Sequence, residues 1–185
     1  LESLECATPI SISVSTIRYW CAAFIRYYAG WVDKIQGDTI PGAPFLYPDN
    51  QFLAYTKYEP VGVVAAITPW NAPVAMLILK LGPALASGCS LVIKPAEITP
   101  LTAIYVAELA IKAGIPAGVV NIVQGKGETV GQYLSGHTGI DKISFTGSTA
   151  VGKRIVIAAT GNLKKVSLEL GGKSPFVIFP DANLE

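Results

Sequence analysis

The sequence predicts an α/β fold: an open parallel sheet with helices on both faces. Three observations carry that expectation. Short apolar runs rich in β-branched residues, among them Val61–Thr68, Ser90–Lys94 and Val119–Val123, alternate with segments of helical periodicity. The helical segments close at glycines, at Gly88, Gly114 and Gly161. The Val61–Thr68 run is apolar almost throughout rather than alternating, as a strand covered on both faces is.

The elements follow in order. Ile17, Trp20, Cys21, Phe24, Tyr27, Tyr28 and Trp31 recur at spacings of three and four, which predicts an amphipathic helix over about 15–35, ended by Gly37 and Pro41-Gly42. An aromatic stripe of this kind packs a core or a subunit contact. Phe52 to Glu59 and Val61 to Thr68 read as consecutive strands, the second buried. Val74, Leu77, Ile78, Leu81 and Leu85 mark a helix stopping at Gly88. A rhythm then sets in: strand Ser90–Lys94, helix Pro100–Ala113, strand Val119–Val123, short helix Glu128–Leu134, strand Lys142–Phe145 and helix Ser148–Ala159. Lys165–Leu170 and Pro175–Phe179 read as further strands.

Composition excludes several functions. Of 185 residues, 51% are hydrophobic and 15% charged, against about 25% charged in an ordinary domain. A chain so poor in charge is not disordered, and much of it is expected to be covered by a partner subunit or a larger chain. The net charge of +1, from 14 basic and 13 acidic residues, gives no long-range field for nucleic acid or for an acidic membrane surface. No stretch reaches the length of a membrane span. Cys6, Cys21 and Cys89 are odd in number and widely spaced, which argues against a disulfide framework and a zinc site and for a reducing, cytoplasmic setting; no metal is expected. The single histidine, His137, rules out two-histidine chemistry within the chain. Met76 is the sole methionine, so the sequence reads as part of a longer protein.

In a parallel sheet the residues just after each strand share one rim, where ligands bind. Four segments fall there: Thr68-Pro69-Trp70-Asn71, Lys94-Pro95-Ala96-Glu97, Phe145-Thr146-Gly147-Ser148 and Glu169-Leu170-Gly171-Gly172. Ser148 is a good N-cap, and the free N–H groups behind it favour an anion such as pyrophosphate; a capped helix with no ligand is the plainer alternative. A GxGxxG signature is absent, and Gly125-Lys126-Gly127 reads as a tight turn. Lysine ending an apolar strand costs desolvation unless paired. Lys94 as donor and Glu97 as acceptor suit the two hydroxyls of a ribose, and the glutamate disfavours a 2′-phosphate, hence NAD over NADP; a local ion pair is the other reading. Glu169, running from an apolar strand into paired glycines, suits a general base if its pocket is apolar, or is an edge-strand glutamate facing water. Asn71 offers a neutral amide donor for an oxyanion, or caps a turn.

At these residues the chain resembles the NAD(P)-dependent aldehyde dehydrogenase superfamily. The matching stretches are ITPWNAP at 67–73, LVIKPAEITPL at 91–101, GIPAGVVNIVQGKG at 114–127, FTGSTAVGK at 145–153 and LELGGKSP at 168–175, with a looser match in RYYAGWVDKIQGDTIP at 26–41. The resemblance implies a Rossmann-like cofactor half: a helical lead-in over 1–50, strands of an oligomerisation hairpin over 51–66, and a dinucleotide-binding domain over 67–185. It implies oxidation of an aldehyde to a carboxylic acid with NAD, NADP remaining open, through a cysteine thiohemiacetal and thioester in a homodimer or homotetramer. Asn71 then serves the oxyanion hole, and Glu169 is the base for the hydrolytic water. Lys94 and Glu97 take the adenosine ribose, Ser148 with Trp70 the pyrophosphate, and Gly127 the adenine side. Thr68 and Pro69 line the nicotinamide approach, with Phe145, Thr146, Gly147, Leu170 and Gly171 completing the cofactor set. The family's nucleophilic cysteine segment has no counterpart among these residues, and Cys89 falls at a structural position. A CoA-acylating relative and a non-catalytic nucleotide-binding scaffold are the alternatives, and Glu169 speaks for hydrolysis.

Overall fold

A computed structural model of the chain describes residues 1–41 and 53–183. Gly42, Phe52 and the last two residues, which figure in the sequence reading, lie outside them. The chain opens with α1 (Glu2–Cys6) and α2 (Ile10–Ser15), which runs through a π-helical turn (Thr16–Cys21) into α3 (Ala22–Ala29). A short antiparallel ribbon pairs β1 (Thr39–Ile40) with β2 (Ala54–Tyr55). There follow β3 (Val63–Ile67), α4 (Pro73–Ala86), β4 (Ser90–Lys94), α5 (Leu101–Lys112), β5 (Val120–Ile122), and a second π-helical turn (Gly127–Gly131) leading into α6 (Gln132–Gly136). The last elements are β6 (Lys142–Gly147), α7 (Thr149–Ala159) and β7 (Lys165–Leu170).

Strands β3 to β7 form one parallel sheet in the order β5-β4-β3-β6-β7. Register aligns the strand ends: Ile67 lies opposite both Lys94 and Phe145, and Thr146 opposite Glu169. Alternate side chains divide the core in two. Val64, Ala66, Leu91 and Ile93 pack beneath α4 and α5, joined by Cys21. Ala65, Ile67, Ile143 and Phe145 pack on the other face with Leu134 of α6 and Ile155 of α7. Each fully buried side chain such as Leu77 or Ile143 contributes roughly 1.5–3 kcal/mol. Helices therefore cover both faces, as the sequence predicts.

Three expectations are corrected. The helix over 15–35 starts at Ile10 and stops at Ala29, where Gly30 caps it, so Trp31 stands 43% exposed beyond the end. Its stripe splits: Trp20 stacks on Phe24 at a centroid spacing of 5.1 Å and Tyr28 meets Phe24 tilted at 5.0 Å, while Cys21 alone of the stripe is fully buried. Residues 63–66, grouped with a hairpin, lie in the middle of the parallel sheet, because a run this apolar needs cover on both faces. The antiparallel partner of Ala54–Tyr55 is Thr39–Ile40 instead. Finally, Pro175–Phe179 forms no strand, and Phe176 is 88% exposed. An extended segment becomes a strand only beside a ladder partner, and none of the described strands pairs with it.

Candidate functional site

From β3 the chain winds outward to β4 and β5, then returns to set β6 on the other side of β3. Ligands of open α/β sheets bind outside the carboxyl strand ends at such a switch point. A cleft of about 1320 Å³ opens there. Every site residue singled out from the sequence lines it: Thr68, Pro69, Trp70 and Asn71 after β3, Lys94 and Glu97 at β4, and Gly127 after β5. Phe145, Thr146, Gly147 and Ser148 enter from β6, and Glu169, Leu170 and Gly171 from β7. His137 lines a separate hollow of about 420 Å³ with Tyr133.

Local sequence explains each wall. Ala72 takes the left-handed conformation (φ 49°) and Pro73 starts α4, so the chain turns sharply after Asn71 and leaves that side chain exposed at the rim. Thr68 is buried, and its N–H donates to the Lys94 carbonyl at 3.1 Å, tying the β3 and β4 ends together. Ser148 caps α7, its Oγ accepting from the Val151 N–H at 3.4 Å, and both residues line the cleft at the start of that helix. Gly147 is required by packing: a Cβ there would stand 2.5 Å from Cζ of Phe145, which is 5% exposed in the sheet core.

Charge is concentrated at β4. Lys94 is 2% exposed, yet its Nζ donates to the Pro95 carbonyl at 2.7 Å and lies 3.5 Å from Oε2 of the half-exposed Glu97. A buried ammonium so placed keeps donor capacity directed at the rim. The Glu97 carboxyl is held below the usual carboxylate range, first by its own backbone N–H, then by Lys94 and by the Gly127 amide. Gly131 of the π-helical turn lies against the Lys94 stem, its Cβ position 3.7 Å from Cε.

Strand parity separates two chemistries. Lys94 and Phe145 share the sheet face of α6 and α7, whereas Thr146 and Glu169 share the face of α4, the helix that follows Asn71. The expectation of an apolar pocket around Glu169 is corrected: it stands exposed on the edge strand β7, in line with Lys165 and Ser167. Among the described residues, no helix covers that part of the α4 face.

The sequence reading missed Lys80. This half-buried side chain donates to Ser144 Oγ at 3.0 Å. Its pKa is lowered to about 8 by burial and by Lys142, against the opposing pull of Glu169. The signal was available, since Lys80 is the one charged residue of α4. Lys126 and Arg154 also line the cleft and were not singled out. None of the three cysteines lines it, and burial pushes the Cys21 thiol up to about 11.

Switch-point cleft, capped helix and buried lysine lie together at one rim of the α/β sheet. The sequence profile of the aldehyde dehydrogenase family matches residues 1–185. The chain is 52% identical over 187 aligned positions to an aldehyde dehydrogenase of Enchytraeus buchholzi, covering all of this chain and 36% of that protein. It is 56% identical over 166 positions to aldehyde dehydrogenase 1A1 of Homo sapiens, covering 89% of this chain and 32% of that one. The structure of the NAD+ complex of a Bacillus cereus aldehyde dehydrogenase superposes with a TM-score of 0.91 at 46% identity, over 99% of this chain and 36% of that protein. The chain belongs to the aldehyde dehydrogenase family, and it spans about 36% of the length of relatives that it matches in full.

Proposed function

We propose that this chain is the dinucleotide-binding part of an enzyme that oxidises an aldehyde to a carboxylic acid with NAD. The observation that carries the reading is the gathering of Asn71, Lys94, Glu97, Ser148 and Glu169 around one cleft, although they are spread over a hundred residues of sequence.

The residues fit the cofactor. Lys94 is a buried ammonium with a free donor at the rim, Ser148 heads a helix whose amides are open, and Val151, Ile155 and Ala158 give an apolar wall. Lys94 would donate to, and Glu97 accept from, the adenosine ribose hydroxyls. The Glu97 charge opposes a 2′-phosphate, which sets the preference for NAD. The N-terminus of α7 would hold the pyrophosphate with Trp70 beside it, Gly127 would border the adenine, and Thr68 and Pro69 the nicotinamide. Bound NAD supplies the hydride acceptor.

Asn71 donates its side-chain N–H to the oxygen of the attacked carbonyl, stabilising charge where it develops. Glu169 takes a proton from the water that releases the acid, and its place on the Asn71 side of the sheet suits that task. The attacking thiolate is assigned to another segment of the complete polypeptide, since Cys6, Cys21 and Cys89 all lie away from the cleft. The exposed Tyr19, Trp20 and Tyr27 and the β1–β2 ribbon support assembly as a homodimer or homotetramer. Three unpaired cysteines support a cytoplasmic setting.

The test is pre-steady-state kinetics of the complete polypeptide. Glu169→Gln leaves the NADH burst and slows steady-state acid release by about a hundred-fold or more. Equal loss of both phases would contradict the assignment, and turnover that requires coenzyme A would replace water as acceptor.

A further inference from the structure

Helices α4 and α5 start directly behind the Asn71 turn and the Glu97 turn, and neither supplies its own side-chain cap. Their N-cap positions are Ala72 and Pro100, which have no side-chain acceptor. The start of α5 instead meets a carboxylate from α1. Glu5 reaches across 96 and 97 positions of sequence: its Oε1 accepts from the Leu101 N–H, and its Oε2 from the Thr102 N–H at 3.0 Å. Glu2 is 5% exposed, and its Oε2 is buried with no hydrogen-bond partner. Burial raises the Glu2 pKa, and the Val74 backbone amide, in the first turn of α4, draws it back down. A spacing of three along α1 puts both carboxylates on one face of that helix. Ser3 fixes α1 to α2 through a 3.1 Å hydrogen bond to Ser13.

We propose that Glu5 is a positioning residue: from α1 it caps α5 from outside and so sets the Lys94–Glu97 turn at the cleft. The proposal rests on the cofactor reading of that cleft given above. Beyond the Lys94 contacts described above and the Gln124 amide bond to the Pro100 carbonyl at 3.5 Å, the stretch from Glu97 into α5 has few ties. Thr99, between Glu97 and α5, is fully buried with an unpartnered Oγ1, and Thr102 Oγ1 is likewise unpartnered. Between Glu97 and Leu101, the backbone tie is the Thr99 N–H to the Ala96 carbonyl at 3.1 Å. The Glu5 carboxylate acts as a brace on the first turn of α5, where the orphan amides and the positive end of the macrodipole lie.

The experiment is steady-state kinetics of Glu5→Ala and Glu5→Gln in the complete polypeptide, with NAD varied. Glu5→Ala is expected to raise the KM for NAD about five-fold or more, the scale of a lost cap, with kcat within about two-fold. Glu5→Gln keeps an acceptor and is expected to restore most of that loss. A purely structural role would lower the fraction of folded enzyme, and with it apparent kcat, while leaving KM unchanged; that outcome overturns the proposal. Amide exchange on the unsubstituted protein supplies a second readout. By linkage, NAD is expected to slow exchange at Leu101 and Thr102, and unchanged rates there overturn the brace. Failure of the unsubstituted protein to bind NAD would refute the cleft reading itself, whereas normal binding indifferent to Glu5→Ala refutes the brace alone.

Discussion

Replacing Lys94 by methionine separates the role of this residue in binding from its role in folding. The substitution keeps the length of the stem, which runs through the core at 2% exposure, and removes the ammonium. At 3.5 Å from Glu97 Oε2 the bare attraction is about 5 kcal/mol for an effective dielectric near 20, reduced to about 1 kcal/mol because Glu97 is half exposed. The Pro95 carbonyl loses its 2.7 Å donor, at roughly 1–3 kcal/mol. Against these stands the relief of a buried charge, worth several kcal/mol. Net stability therefore stays within about 2 kcal/mol of the unsubstituted protein. Cofactor affinity has no such compensation. Losing a charge-assisted hydrogen bond of about 1.5–3 kcal/mol weakens binding roughly ten- to hundred-fold. Calorimetric titration with NAD and thermal unfolding, run on the same complete polypeptide, read the two quantities. Unchanged affinity, or affinity and stability lost in parallel, would refute the reasoning.

Other outcomes follow from the same groups. Isotope-labelled reductive methylation read by NMR is expected to place the Lys80 pKa near 8, below its ordinary 10.5. Unfolding then takes up a proton between those values, so stability rises as pH rises through that window, and Lys80→Met abolishes the rise. Glu97→Gln is expected to narrow the preference for NAD over NADP by about ten-fold, measured as the ratio of KM values. Because the Glu97 pKa lies below 4.5, the stability it contributes is complete above that pH and falls only as pH drops through its lowered value, so the NAD preference is expected to hold down to mildly acidic pH.

The central strands of the parallel sheet were legible because they are buried, and burial dictates β-branched apolar runs such as Val63–Ile67. The rim followed from topology, since parallel strands joined by right-handed crossovers put all their carboxyl ends on one side. What stayed hidden depends on neighbours distant in sequence. Ile10-Ser-Ile-Ser-Val14 alternates like a strand yet is helical, continuing without a break into the π-helical turn and α3. Phe176–Phe179 carries strand-forming residues but pairs with none of the described strands. The exposure of Glu169 reflects its place on the last strand, which strand order alone reveals. Lys80 was overlooked because its partner, Ser144, comes from a strand 64 positions away.

Amide hydrogen exchange of the complete polypeptide with and without NAD bears most directly on the convergence of these segments. The expected result is slowed exchange at 68–71, 94–97, 127–131 and 145–151, together with Leu101 and Thr102, and with the β1–β2 ribbon unaffected. Protection that avoids the β4 and β6 ends, or that appears at the ribbon instead, would contradict a shared dinucleotide cleft.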